Sequence, residues 1–358
     1  METYTLTANK GEWSELYTLL KIFSERSITA ANKDLQPTDE KYTFLQVFRE
    51  DILDRKYVYD LSENNVVKIL KPSGELVRVV DISDLPEKTL TVFRKIKEFD
   101  QRTFTITEAI SVMDSLLLEK IKASSGEKSD ILALVKDRVT SGSLLGFSVK
   151  SQIGGASTLL NSSFHTNFTF KLRDFTGYAN RVNETDGKSK VRDRVKQIIN
   201  DGGSFEFAGI TSQSFSRNLR LVDTILPHVL AQMLIEYYSG NATTIPELCR
   251  LVGQNNSFGM NEQEVAYKIK SFLRTVALGM VPSKEWDTYL SAYGGYIVVR
   301  DDGMLLCYHL YNDDDFKDYL FNNTKFDTPS SSRHGFGTIF FEDYLPMMNL
   351  NLQIRFLK

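Results

Sequence analysis

The chain has 358 residues and a net charge of −3, with 42% hydrophobic and 25% charged residues, ordinary values for a globular protein. No run of about eighteen apolar residues occurs, which excludes a membrane-spanning helix. The opening METYTLTANKGEW lacks the basic and apolar stretches of a secretory signal, so a cytoplasmic protein is expected. Cys249 and Cys307 lie far apart without ligand spacing, which excludes a structural zinc site and reads as two buried thiols of a reducing compartment.

Asn9 is placed to cap a helix running through GEWSELYTLLKIFSE, where Trp13, Leu16, Leu19, Leu20 and Phe23 recur on one face. Residues 56–82 read as short strands, with YVYDL and VVKIL before the turn KPSGE and LVRVVDI after it. Helices are predicted over 86–99 and 107–122, the second with Ile110, Met113, Leu117 and Ile121 in register; KASSGEKS then breaks the pattern. Asp130 opens a buried-strand pattern, KDRVTSGS turns, and Leu144–Lys150 is a second strand, so the spacing predicts a hairpin.

QIGGASTLLNSS reads as a polar loop, FHTNFTFKL as a strand, Lys188–Asn200 as a helix and SFEFAGI as a strand. A helix is expected over 213–239, kinked or broken at Pro227. Helices at 245–252 and 261–279 precede two strands joined at Asp301-Asp302-Gly303, a strong hairpin turn. Asn312 is placed to cap DDDFKDYLFNN, and FGTIFFEDY and LNLQIRFL alternate as strands. These elements imply a mixed α/β (α+β) protein, with a core around 1–240 and a C-terminal α+β region at 241–358.

The chemistry concentrates at the hairpin. Hydrolysing a phosphodiester through an activated water needs a polarising divalent cation and a positive charge near the water. Magnesium takes hard oxygen ligands and keeps several waters, so one or two carboxylates and a backbone carbonyl suffice. Strand alternation puts Ser148, Lys150 and Gln152 on one face, and a lone lysine inside an apolar strand needs a partner or solvent. An edge-strand lysine merely paired with Asp130 is the plain alternative.

Ser129-Asp130 followed by Ser148-Val149-Lys150 resembles the PD-(D/E)xK nuclease core, with Ser129 where the pattern has proline and Ser148 where it has an acid. The strings TLTANKGEWSELY, GFSVKSQIGGASTLLNSS and DGMLLCYHLYNDDDFKDYLFNNTKFDTPSSSRHGFG are similar to the HpaII family of type II restriction endonucleases, and this likeness spans Leu6 to Phe356. The resemblance implies a PD-(D/E)xK-like core, a mixed β-sheet flanked by helices, cutting double-stranded DNA with Mg2+ at a short site such as a CCGG-like one. It would leave 5′-phosphate and 3′-hydroxyl ends. Asp130 and a glutamate of the first helix, Glu15 or Glu12, would hold the metal with the Val149 carbonyl. Lys150 would activate water, and Gln152 would touch water or phosphate. A homodimer and a cognate methyltransferase as genetic partner are the implied associates. A catalytically silent DNA-binding protein on a degenerate nuclease fold is the alternative, favoured by Ser148.

For the DNA itself, the loop after the catalytic strand offers Ser151, Ser157, Thr158 and Asn161 to the backbone. Lys188, Lys190, Arg192, Arg194 and Lys196 crowd one segment and Arg217 follows, either a phosphate-neutralising stripe or a solvated helix face. Arg333 and His334, in TPSSSRHG, are candidates to read base edges. The four histidines form no HxK pair, and no GxxxxGK[ST] loop is present, which argues against histidine-based and ATP-driven chemistry.

Overall fold

Alternation and helical periodicity translate into sixteen strands and ten helices among the described residues of a computed structural model, namely 6–52, 55–122, 129–138, 141–255, 258–289, 294–309, 313–331 and 333–357. The chain begins α1 (Lys10–Glu25), β1 (Ser27–Ala31), β2 (Pro37–Ile52), β3 (Arg55–Asp60), β4 (Val66–Leu70) and β5 (Leu76–Asp81). Then come α2 (Leu85–Glu98), α3 (Thr107–Ser115), β6 (Ile131–Lys136), β7 (Ser143–Ser151), β8 (Thr158–Leu160) and β9 (Asn167–Arg173). Next are α4 (Ala179–Asn183), α5 (Lys190–Asn200), β10 (Ser204–Ile210), α6 (Gln213–Val222), α7 (Leu226–Ser239), α8 (Ile245–Asn255) and α9 (Glu262–Ala277). The end is β11 (Gly295–Val299), β12 (Leu305–His309), α10 (Asp313–Asn322), β13 (Thr324–Phe326), β14 (Ile339–Glu342), β15 (Leu345–Asn351) and β16 (Ile354–Phe356).

The chain forms two units that interleave in sequence, Met1–Ser157 with Leu290–Phe316, and Thr158–Tyr289 with Lys317–Leu357. In the first unit nine strands are ordered β1-β12-β11-β7-β6-β2-β3-β4-β5, and β1 also pairs with β2. That extra pairing closes six strands into a ring, from which β3, β4 and β5 continue as a meander. Closure removes exposed edges from the strands that carry the hairpin.

One long strand makes the ring possible. β2 pairs with β1 through its first half and with β3 through its second, while β6 lies on its other edge. A register shift between Phe44 and Gln46 leaves Leu45 as an extra residue. The inward side therefore changes parity, from Tyr42 and Phe44 to Val47 and Arg49. Gly295 has φ 132, and a Cβ there would lie 2.1 Å from the Tyr308 carbonyl oxygen, so glycine lets β11 approach β12 at this corner.

α1 begins where Asn9 caps it: the Asn9 side chain accepts from the Glu12 amide and the Glu12 carboxylate accepts from the Asn9 amide. Its apolar face joins one core with Phe44, Val47, Phe147, Val149, Ile297 and Cys307. The Trp13 indole donates to the Phe104 carbonyl, and the Tyr17 hydroxyl to that of Gly303.

The second unit has an antiparallel sheet β10-β9-β15-β14 and a smaller one, β13-β16-β8, with α4 to α9. Asn351 and Asn167, both buried, bond to each other, and Asn167 also donates to the His334 carbonyl.

Most expected elements appear, with three differences. The helix predicted over 107–122 stops at Ser115, because Leu117 takes the left-handed region at φ 56 and the Leu118 amide turns back to Met113. QIGGASTLLNSS, read as a loop, carries the short strand β8, whereas the break expected at Pro227 is present, with Asp223 extended and Pro227 in the first turn of α7. LNLQIRFL divides between β15 and β16. The proposed cap Asn312 lies outside the described residues. No helix among the described residues is long and apolar enough to cross a membrane.

Candidate active site

The hairpin β6–β7 pairs Ile131 with Phe147, which brings Asp130 beside the strand that carries Lys150. The Asp130 amide donates to the Phe147 carbonyl at 2.9 Å. One oxygen of its carboxylate, Oδ2, accepts from the Val149 amide at 2.7 Å and the Ser148 hydroxyl at 3.2 Å. Phe147 and Val149 point into the core, so the strand's alternation turns Ser148 and Lys150 the other way, where both are half-buried. Across β7, Lys150 is in register with Val298 of the parallel strand β11.

α1 packs on the same unit and contributes Glu15, whose side chain is 16% exposed. Burial first, and the charge of Asp130 second, push the Glu15 carboxyl up to about 7, while the cations Lys122 and Lys150 pull it back. Lys122 Nζ stands 3.5 Å from Glu15 Oε1 and 4.0 Å from Asp130 Oδ1. Burial pulls the Lys122 ammonium down, but Glu15 and Asp130 outweigh it and hold its pKa above the ordinary value.

Lys122 is the residue that sequence reasoning missed. It follows a segment fixed by a buried pair on β2: Arg49 Nε meets Asp51 Oδ1 at 2.5 Å. The Arg49 guanidinium donates to the carbonyls of Lys120 and Ile121, and Asp51 accepts from the amides of Glu119 and Lys120. Residues 119–121 are thus clamped from both ends of one ion pair, and Lys122 is delivered to the carboxylates. The missed signal was polar residues at inward positions of a strand.

The two helix-one glutamates have different surroundings. Glu12 closes the helix cap with Asn9, and Glu15 shares the field of Asp130, Lys122 and Lys150. Gln152 is exposed, and its amide donates to the Val299 carbonyl. The Ser151 hydroxyl accepts from Ser14 of α1 at 2.9 Å and from the Ile153 amide, so it ties α1 to β7. Ser157 is half-buried in the same unit.

The remaining candidates lie in the second unit. Thr158 pairs with Arg355 in the small sheet, and Asn161 is exposed. Arg217 donates to the Trp286 carbonyl. Arg333 is exposed on a turn whose amide returns to Ser330, and His334 has φ 69.

Among the described residues, no group of three or more His, Cys, Asp or Glu side chains could hold a metal ion. The donor set at the hairpin is therefore two carboxylates with a main chain beside them. This suits a hard cation that keeps much of its water. The raised Glu15 points the same way, because a second cation between Glu15 and Asp130 would relieve the repulsion that burial intensifies.

Similar proteins are known along nearly the whole chain. Residues 9–356 match the family model described as HpaII restriction endonuclease. The chain is 38% identical over 362 residues to the type II restriction enzyme HpaII of Haemophilus parainfluenzae, covering 99% of this chain and 100% of that protein. No solved structure matches.

Proposed function

The chain belongs to the HpaII family of restriction endonucleases, and on that footing we propose that it hydrolyses double-stranded DNA at a short, CCGG-like sequence. A metal-activated water would make the cut, leaving 5′-phosphate and 3′-hydroxyl ends. The observation that carries this reading is the convergence of Glu15, Asp130 and Lys150 on one half-buried spot.

Glu15 and Asp130, with the Val149 carbonyl, would hold Mg2+. When bound, that ion supplies a polarised phosphate oxygen and a water of lowered pKa. Lys150 orients the attacking water and balances charge developing on the phosphate. Gln152 contacts the water or the scissile phosphate. The Ser148 hydroxyl, standing where the PD-(D/E)xK pattern has an acid, steadies Asp130 instead of adding a ligand. Glu12 acts through the helix cap and not as a ligand.

On the DNA side, Ser151, Ser157, Thr158 and Asn161 would serve the backbone, and Arg217, Arg333 and His334 the groove or its phosphates. Catalysis would fall to residues 1–240 and recognition to 241–358, a division along the chain that differs from the two compact units, which interleave across residue 240. A symmetric site favours a homodimer in the cytoplasm, protected genetically by a cognate methyltransferase. The silent-binder reading draws on Ser148 alone.

The test is digestion of mixed-sequence plasmid with magnesium or with EDTA, followed by sequencing of fragment ends. Discrete fragments that need magnesium support the proposal and reveal the site. Intact DNA, with binding retained in a gel shift, would overturn it in favour of the silent binder.

A further inference from the structure

Two motifs remote in sequence meet in the second unit. The basic stretch Gly187–Arg192 and the loop Asp327–Ser331 line one cleft of about 410 Å3, with Tyr237 beneath. We propose that this cleft, through Lys188, Lys190, Arg192, Thr328, Ser330 and Ser331, binds a phosphate of the DNA backbone. The inference rests on the nuclease reading above and assigns the enzyme a phosphate site outside the catalytic hairpin.

Charge and shape both support it. Arg192 lies over the Tyr237 ring, 4.5 Å from its centroid, and the Tyr237 hydroxyl meets Thr328 Oγ1 at 2.9 Å. That hydrogen bond holds the Thr328 loop to the ring on which the Arg192 guanidinium rests. Of the acids nearby, Asp327 pairs outside the cleft's cations, with Arg355 at 2.7 Å, while Asp186 pairs with Lys190 at 3.0 Å and would share that ammonium with the phosphate. Asp193 is exposed in the first turn of α5.

The cations also stand at the wrong end of a helix for its own stability. α5 begins at Lys190, and its N-cap Ser189 makes no side-chain cap bond. Lys190 and Arg192 thus sit at the positive pole of the helix dipole, where cations cost about 0.3–1 kcal/mol each and an anion is favoured. A phosphate would reverse that sign.

The ligand is a backbone and not a nucleotide. Tyr237 is buried at 3% exposure beneath Arg192 and offers no open ring to a base. The remaining lining combines short hydroxyls and flexible ammonium groups, which suit phosphate oxygens, with Val191, Pro329 and the Arg355-paired Asp327.

The test measures duplex binding by the full chain in calcium, without cleavage, across salt concentrations. Removing one cation that neutralises a phosphate lowers the slope of log K against log salt by about 0.9. Lys188→Ala/Lys190→Ala is expected to lower it by between one and two such steps on cognate and scrambled duplexes alike. Lys188→Arg/Lys190→Arg should restore it, and Lys88→Ala/Lys95→Ala, removing equal charge from α2, should leave it in place. An unchanged slope in the alanine double variant overturns the proposal. So does an unchanged slope accompanied by inorganic phosphate binding that the variant loses, which would make the cleft a free-anion site. A wild type that binds duplex but never cuts leaves this measurement intact while removing the nuclease reading. A wild type that binds no duplex removes both.

Discussion

The Val149 amide donates to Asp130 Oδ2 at 2.7 Å, so the position before the strand lysine also aims the acid that opens the hairpin. The Ser148 hydroxyl shares the same oxygen. Ser148→Ala removes one hydrogen bond to a carboxylate, worth about 1.5–3 kcal/mol, and should slow cleavage by no more than about tenfold to a hundredfold. Lys150→Ala should cost about 10²–10⁴-fold in single-turnover rate, with duplex binding retained. Equal losses in the two variants would show that Ser148 does more than steady Asp130.

Glu12 and Glu15 should separate cleanly. Glu12→Ala breaks the capping box and lowers stability by about 0.5–2 kcal/mol, read from the urea midpoint, while magnesium-dependent cleavage persists. Glu15→Gln removes a carboxylate from the hairpin site and should abolish cleavage with the fold intact. Loss of magnesium dependence in the Glu12 variant instead would reverse the assignment.

Lys122 occupies the space beside Glu15 and Asp130 that a metal would share. Removing a competing cation should let divalent ions bind at lower concentration, so Lys122→Ala is expected to tighten calcium binding measured by calorimetry. Arg49→Ala breaks the clamp on residues 119–121 and leaves Asp51 buried without its partner. That should destabilise the protein by about 3–5 kcal/mol.

His309 gives a pH signature apart from catalysis. It is buried at the end of β12 and stacks on Tyr42 at 5.1 Å. Burial holds its pKa below the ordinary 6.5, with Asp137 and Glu40 pulling the other way. The unfolded chain therefore takes up a proton near pH 6.5 that the folded chain refuses. The contribution to stability is complete above about 6.5 and is lost as pH falls from there through the lower folded value. Urea midpoints should decline below that pH, and His309→Phe should flatten the decline; parallel curves for the two proteins would refute the assignment.

What the sequence disclosed was local. Asn9 announces α1, and Asp301-Asp302-Gly303 the β11–β12 turn, because each signal adjoins the element it marks. The hairpin that sets Asp130 beside Ser148 and Val149 was legible because a hairpin sets its own register. The long strand β2 was not, since the extra residue at Leu45 breaks the alternation that would reveal it. Nor was the ring, which depends on β1 meeting β12 across most of the chain's length, with Thr29 opposite Leu306. Lys122 carried no motif, and its position follows from Arg49 and Asp51 on a strand the pattern hid.

The basic segment divides by direction, which composition could not disclose. Arg194, grouped in sequence with Lys188, Lys190, Arg192 and Lys196, is buried at 5% exposure. Its guanidinium donates to the carbonyls of Asn183, Thr185 and Gly337, at 2.5, 2.7 and 2.7 Å. It holds the second unit's chain together: four of its five N–H donors go to these carbonyls, and burial keeps the fifth from a phosphate at the surface. Arg194→Met should leave those carbonyls unpaired, at about 1–3 kcal/mol for each buried group that water cannot reach. Arg194→Lys should recover only part, because an ammonium cannot span the three acceptors as the planar fork does. The salt slope of duplex binding, measured below the unfolding transition, should match wild type in both variants. A slope lowered by about 0.9 in Arg194→Met would instead return this residue to the DNA-facing set.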